Sequence, residues 1–216
     1  MSEPDQEKDE QQEDSKESSL KKDKKTIKSR IKNIREEINL QFHWYLLGFI
    51  LIYYGSFAIP GILFMIYLIG FFKPYFLDTS NFFSIFTQLN PLLALLTFPL
   101  VLIGCYVLHM FLVGLITRWL WGITEKKSPS KDGIIPRNVN SKTLNYYHIR
   151  SFLIKYGKNV FTKGPFPWLI NWFYNYVGSA RVGEGSTIEE EILSDRFVDI
   201  GKNTYIGVNS AISSHA

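Results

Sequence analysis

The chain has a single cysteine, Cys105, in 216 residues, so no intrachain disulfide can form and nothing points to an oxidising compartment. No Asp, Glu, Lys or Arg occurs between Phe42 and Phe72, or between Leu92 and Thr117. Charge-free runs of that length are too long and too uniformly apolar for the core helices of a soluble domain. Residues 1–25 have the opposite deficit: apolar side chains are almost absent, and the segment cannot bury enough surface to offset the cost of ordering it. No G-x-x-x-x-G-K-[ST] loop, nucleophile elbow or zinc-finger spacing occurs, which removes the common nucleotide, hydrolase and finger readings. Gly183-Glu-Gly185-Ser-Thr falls short of a dinucleotide fingerprint. A secretory signal is also not expected, because a long mixed-charge tail precedes the first apolar run.

What is present divides into zones. Residues 1–25 are expected to be a disordered charged tail that turns basic at Lys21, Lys22, Lys24 and Lys25. Within 26–41, Ile27, Ile31, Ile34 and Ile38 fall on one helical face, with Lys28, Arg30, Lys32 and Arg35 around the rest. This is either a basic amphipathic helix on an anionic membrane surface or a solvated extension of the helix that follows. Residues 42–124 read as two transmembrane helices, Phe42–Phe72 and Leu92–Leu120. A bilayer needs only about 20 helical residues, so the surplus implies tilt or an interfacial end, and Pro60-Gly61 is expected to kink the first run.

Eight Lys or Arg lie in Lys21–Gln41 and five in Arg118–Asn138, against Lys73 alone in Lys73–Asn90. The positive-inside rule then puts both chain ends in the cytoplasm and the short linker outside, in a multi-pass cell-membrane protein. Aromatics make up 16% of the chain, which suits contact with headgroups, and Trp44, Trp119 and Trp121 stand where an interfacial belt would place them. With a net charge of only +4, the basic residues read as membrane-flanking charge, with lipid as the partner and no nucleic acid. Residues 125–179 are expected to be a polar linker followed by interfacial helices. Gly164, Pro165 and Pro167 prevent a third span, so Pro167–Val177 is expected as a helix at the membrane surface, or as a lid on a soluble domain.

From Ala180 the period changes. Counting by six gives Val182, Ile188, Ser194, Ile200, Ile206 and Ile212. Three residues after an aliphatic come Gly185, Asn203 or Asn209, types that accept left-handed backbone. Two before it come Ala180, Ser186, Thr204 or Ser210, all small. Period two would mark a strand and 3.6 a helix. A period of six with turn formers at fixed offsets marks a left-handed parallel β-helix, in which every sixth side chain enters one axial core. Ser194, with Leu193 before it, suggests a bulge at that corner. The expected fold is therefore a membrane α-helical hairpin followed by an incomplete left-handed parallel β-helix over 180–216.

This tail resembles the hexapeptide-repeat acyltransferase superfamily. The wider stretch resembles the membrane-bound C-terminal regions of nonribosomal-peptide-synthetase-like proteins such as the epsilon-poly-lysine synthetases. The resemblance is carried by Pro165–Trp172, Leu193-Ser194-Asp195 and His215. It implies transfer of an acyl group from acyl-CoA or a phosphopantetheinyl carrier to an amine or hydroxyl, with His215 as the catalytic base. Asp195 and Asn209 are the substrate-binding candidates; Asp195 and Asp199 could orient the base, bind the acceptor or be simply solvated at a corner, and Asn209 is equally a turn former. The resemblance also implies a homotrimer, or a partner chain supplying further coils. In the family the coils continue beyond this histidine, so a truncated or split chain is expected; the alternative is a non-enzymatic anchor whose β-helix stub docks a partner. A zinc site is not expected, since three converging histidines are needed and the coil has one. Cys105 and His109, four apart, read as packing.

Overall fold

The computed structural model describes residues 42–79, 81, 83–130, 141–190, 192–193 and 198–212. The expected tail over 1–25 and basic helix over 26–41 lie outside the described residues. The first helix, α1 (Phe42–Tyr67), passes through Pro60 and continues as a wider π-helical segment over Leu68–Leu77. Pro74 sits in that segment, where an α-turn would drive its ring into the carbonyl four residues back. The wider turn relieves this, and Asp78 N–H closes it on the Lys73 carbonyl five residues back at 3.0 Å. A one-turn helix, α2 (Ser84–Thr87), leads into α3 (Leu89–Lys127).

Two helical elements, Phe42–Leu77 and Leu89–Lys127, are thus long and apolar enough to cross a membrane. They form an antiparallel hairpin. Tyr67 donates to the Ala94 carbonyl at 2.9 Å near the tip, and Phe57 stacks on His109 nearer the open end, with ring centroids 3.8 Å apart. At 39 residues, α3 measures about 58 Å, against about 30 Å of hydrocarbon. It either tilts steeply or carries one end beyond the bilayer.

The third long helix, α4 (Lys142–Thr162), starts ten residues earlier than the aromatic run at Phe152 suggested. Ser141 caps it by accepting from Leu144 N–H at 3.1 Å, a bond that satisfies one of the free amides of the first turn. It packs against α1 and α3: Tyr45 meets Phe152 edge-on at 5.1 Å. The Gly48 backbone is pressed so closely on Leu153 that an added Cβ would stand 2.6 Å from its Cδ2. Arg150 is buried and donates to the Ser128 carbonyl at 2.9 Å, with Glu125 Oε2 at 3.4 Å from the same nitrogen. Glu125 also accepts from Ser130 N–H and Oγ–H at 3.0 and 2.9 Å. This pair clamps the end of α3 to α4. Trp121 is buried in the same core, which corrects its expected place in an interfacial belt; Trp44 and Trp119 are exposed.

After a turn, a short 3₁₀ segment (Pro167–Leu169) opens α5 (Ile170–Val177), which ends at Gly178 with φ +82°. Phe173 stacks on Phe161 at 5.0 Å and fills the space left by Gly157. Arg118 lies 4.7 Å over the Tyr176 ring and donates to its carbonyl at 3.1 Å.

Six two-residue strands follow: β1 (Arg181–Val182), β2 (Thr187–Ile188), β3 (Ile192–Leu193), β4 (Asp199–Ile200), β5 (Tyr205–Ile206) and β6 (Ala211–Ile212). They pair in parallel as β1·β4, β2·β5 and β3·β6, and form no closed barrel. Each strand pairs with the third one on, so the chain makes one turn in β1–β3 and lays a second upon it in β4–β6. One apolar core runs from Ile52 and Val113 in the hairpin, through Phe173 and Val177, to Ile188 and Ile206.

Candidate functional site

The register is Val182 against Ile200, Ile188 against Ile206 and Leu193 against Ile212. All but Ile212, which is half-buried, are buried. The inward place counted as Ser194 in the sequence is taken by Leu193. Removing Leu193 from water gains about 2 kcal/mol that a serine would not, so the chain slips by one residue there to bring the leucine inward. The advance between partners is accordingly 18 residues for the first two pairs and 19 for the third.

The corners explain the remaining residue types. Gly185, Asn203 and Asn209 have φ of 73°, 54° and 63°, the left-handed region that glycine and asparagine enter most cheaply. Asn203 N–H donates to the Glu184 carbonyl at 3.0 Å, and Asn209 N–H to the Glu190 carbonyl at 2.8 Å, so these two corners of the second turn are bonded to the first. Gly183 lies against Gly201 on the next turn, where a Cβ would come within 2.6 Å of a backbone carbon. Ser186 Oγ bridges the same two turns: it donates to the Gly201 carbonyl at 2.7 Å and accepts from Thr204 N–H at 3.1 Å. Small residues stand there because the side chain must fit, and here also bond, between two backbones.

The first turn begins under α5, in the stretch expected from the sequence as a helix at the membrane surface or as a lid. The Asn175 amide pairs with both backbone groups of Val182, accepting from its N–H and donating to its carbonyl, each at 2.9 Å. One turn of helix earlier, Asn171 Nδ2 donates to the Ser186 carbonyl at 2.5 Å. Asparagines at i and i+4 share one face, so α5 completes the upstream edge as a neighbouring strand would. Ile170, Phe173 and Val177 are buried at the same junction. An end cap of this kind is what stacked turns need to avoid an exposed edge. Its signal was the Asn-x-x-x-Asn spacing before the first hexad.

Of the expected site residues, Asp195 and His215 lie outside the described residues. Asn209 is an exposed corner residue in left-handed conformation. Asp199 is exposed on β4 beside its register partner Arg181, with 4.0 Å between Oδ1 and Nε. Glu190 meets Lys163 Nζ at 2.8 Å, and this hydrogen-bonded ammonium holds the Glu190 carboxyl below its ordinary range. Tyr205 is pushed the other way, chiefly by its hydrogen bond to the Glu189 carboxylate. The outer face of the coil is therefore largely polar, around an apolar interior.

A second polar cluster lies where α1, α3 and α4 meet. His109 is only 3% exposed, and its Nδ1 has no hydrogen-bond partner among the described residues. Ser56, fully buried, donates to the Tyr53 carbonyl at 3.0 Å. Tyr156 of α4 packs edge-on to Tyr53 at 5.6 Å, and burial, then the neighbouring Tyr53 and Tyr106 phenols, push its own phenol up to about 12. Cys105, one turn away from His109, is half-buried, and no group of three metal-binding side chains occurs among the described residues. Packing is what the structure gives His109, by its ring on Phe57.

No family model, curated protein or solved structure matches this chain.

Proposed function

We propose that this protein is a membrane-anchored acyltransferase of the hexapeptide-repeat type, its coil being a left-handed parallel β-helix held at the cytoplasmic surface by the helical hairpin. The observation that carries the reading is the parallel register at an advance of 18 residues, with buried aliphatics inside and left-handed asparagines at the corners. The hairpin, α4 and α5 share one core with the coil, so the anchor holds the coil rigidly. In this reading His215 takes the proton from an acceptor amine or hydroxyl as that group attacks the thioester carbonyl of an acyl-CoA or acyl-carrier substrate. The thiol then leaves with a proton, and the acyl group stays on the acceptor. Asp195 and Asn209 bind the acceptor beside it, and further coils come from a homotrimer or from another chain.

Acyl transfer from a labelled thioester to an amine, measured in purified membranes, tests this directly. Replacing His215 by alanine is expected to lower the rate by about 10²–10⁴-fold. An unchanged rate removes His215 from the mechanism, and no transfer by wild-type membranes removes the enzyme reading.

A second reading is favoured by one feature. Among the described residues, the edges of β4, β5 and β6 that face away from the first turn have no strand partner, and such edges invite strand addition. The chain would then be a non-enzymatic anchor that docks a partner by stacking turns end to end. A stoichiometric second chain in the native mass spectrum, without acyl transfer, selects this reading; a monomer with transfer eliminates it.

A further inference from the structure

At the open end of the hairpin, α1, α3 and α4 enclose a cleft of about 140 Å³. Gly48, Thr124 and Leu153 are buried at its floor, while Trp44 and Lys127 are exposed at its rim beside half-buried Tyr146. The floor offers no free donor, because the Thr124 hydroxyl is already spent on the Trp121 carbonyl at 2.7 Å. At about 30 Å³ for each water-sized group, the space takes about five chain carbons.

The rim has one sign of charge. Among the described residues, no Asp or Glu lines the cleft and Lys127 makes no ion pair, whereas Glu125 nearby is held by Arg150 and Ser130. Lys126 and Lys127 close the last turn of α3, beyond its apolar run, and Trp44 stands at the same end of α1. Basic and amphipathic aromatic side chains at the end of a hydrophobic helix mark the headgroup level of a bilayer.

We infer that this cleft is a binding site for one anionic membrane lipid, whose acyl chain enters between α1, α3 and α4 while its phosphate meets Lys127. An apolar slot selects a chain, and an unpaired ammonium at its mouth selects the charge of the head. The site requires only the hairpin and α4, so it stands whether or not the coil carries acyl transfer.

The experiment uses the full chain purified in a neutral detergent, with phosphatidylglycerol and phosphatidylcholine of identical acyl chains as probes. Retention is read by native mass spectrometry and protection by the shift in Tm. Phosphatidylglycerol is expected to be retained about fivefold better than phosphatidylcholine. Lys127→Gln is expected to abolish that preference without moving the lipid-free Tm, since Lys127 is exposed and has no ion-pair partner among the described residues. Leu47→Trp, at an exposed position of the cleft wall, is expected to reduce retention of both lipids. Equal retention of the two lipids by the wild type, or an unchanged preference in Lys127→Gln, overturns the inference. So does full protection by inorganic phosphate alone, which would indicate an ion site without a chain. Should Leu47→Trp fail to fold, the charge preference and its loss in Lys127→Gln decide the question by themselves.

Discussion

Along the hairpin, aliphatic side chains point in every direction: Ile59, Ile62, Ile66, Leu96, Leu100 and Ile103 are all exposed, on helices that are apolar all round. In the coil, aliphatics occupy single places: Val182, Ile188, Ile200 and Ile206 are buried, and the strand residues before them, Arg181, Thr187, Asp199 and Tyr205, face outward. The difference reflects the two surroundings. Hydrocarbon rewards apolar character without regard to direction, whereas water around a thin core rewards it only on the inside. The hairpin should therefore tolerate many apolar exchanges, and the coil few.

The clamp between the two halves of the helical platform gives the largest expected effect. Arg150→Ala leaves Glu125 without its buried partner and is expected to cost about 3–5 kcal/mol, seen as a lower Tm in detergent. A loss below about 1 kcal/mol would mean that water reaches this pair freely. Next comes the direct test of the contrast. Ile188→Ala in the coil is expected to destabilise by about 2–5 kcal/mol, while Ile103→Ala on the exposed face of α3 leaves Tm within the scatter of surface changes. Equal losses at the two sites would abolish the distinction.

Corner chemistry sharpens it further. Asn203→Ala forces an alanine to φ 54° and is expected to cost about 1–2 kcal/mol, whereas Asn203→Gly should be close to neutral. Equal Tm values for the two variants would show that the left-handed corner carries no constraint. The smallest effect belongs to the Lys163–Glu190 contact between the turn before α5 and the coil. Because the carboxyl of Glu190 is held below its ordinary value, the contribution is fully present above about pH 4.3 and is lost as the pH falls through the lowered value. Glu190→Gln should remove that acid-side component of the Tm profile and leave the neutral range little changed; an identical acid limb in both proteins would show that the contact contributes nothing.

Local pattern was enough for part of the fold. Two uncharged apolar runs gave two helices long and apolar enough to cross a membrane, and the hexads with Gly185, Asn203 and Asn209 at matched offsets anticipated short parallel strands with positive φ at those three residues. The helical start at Lys142 was less legible, because the Lys, Asn and Ser that surround its apolar positions also read as linker.

What the chain determined by itself, then, are the features set by neighbours a few residues apart: period, capping, turn chemistry and the absence of charge. Tertiary structure alone decided that Leu193 turns inward, since that place depends on Ile212 across the turn. It also decided that Asn175 serves as an edge for β1, that Arg150 meets Glu125, and that a cleft forms beside Lys127. Each of these joins groups distant along the chain, and their energies exist only after the elements have packed, when burial makes an unpaired charge or backbone group costly.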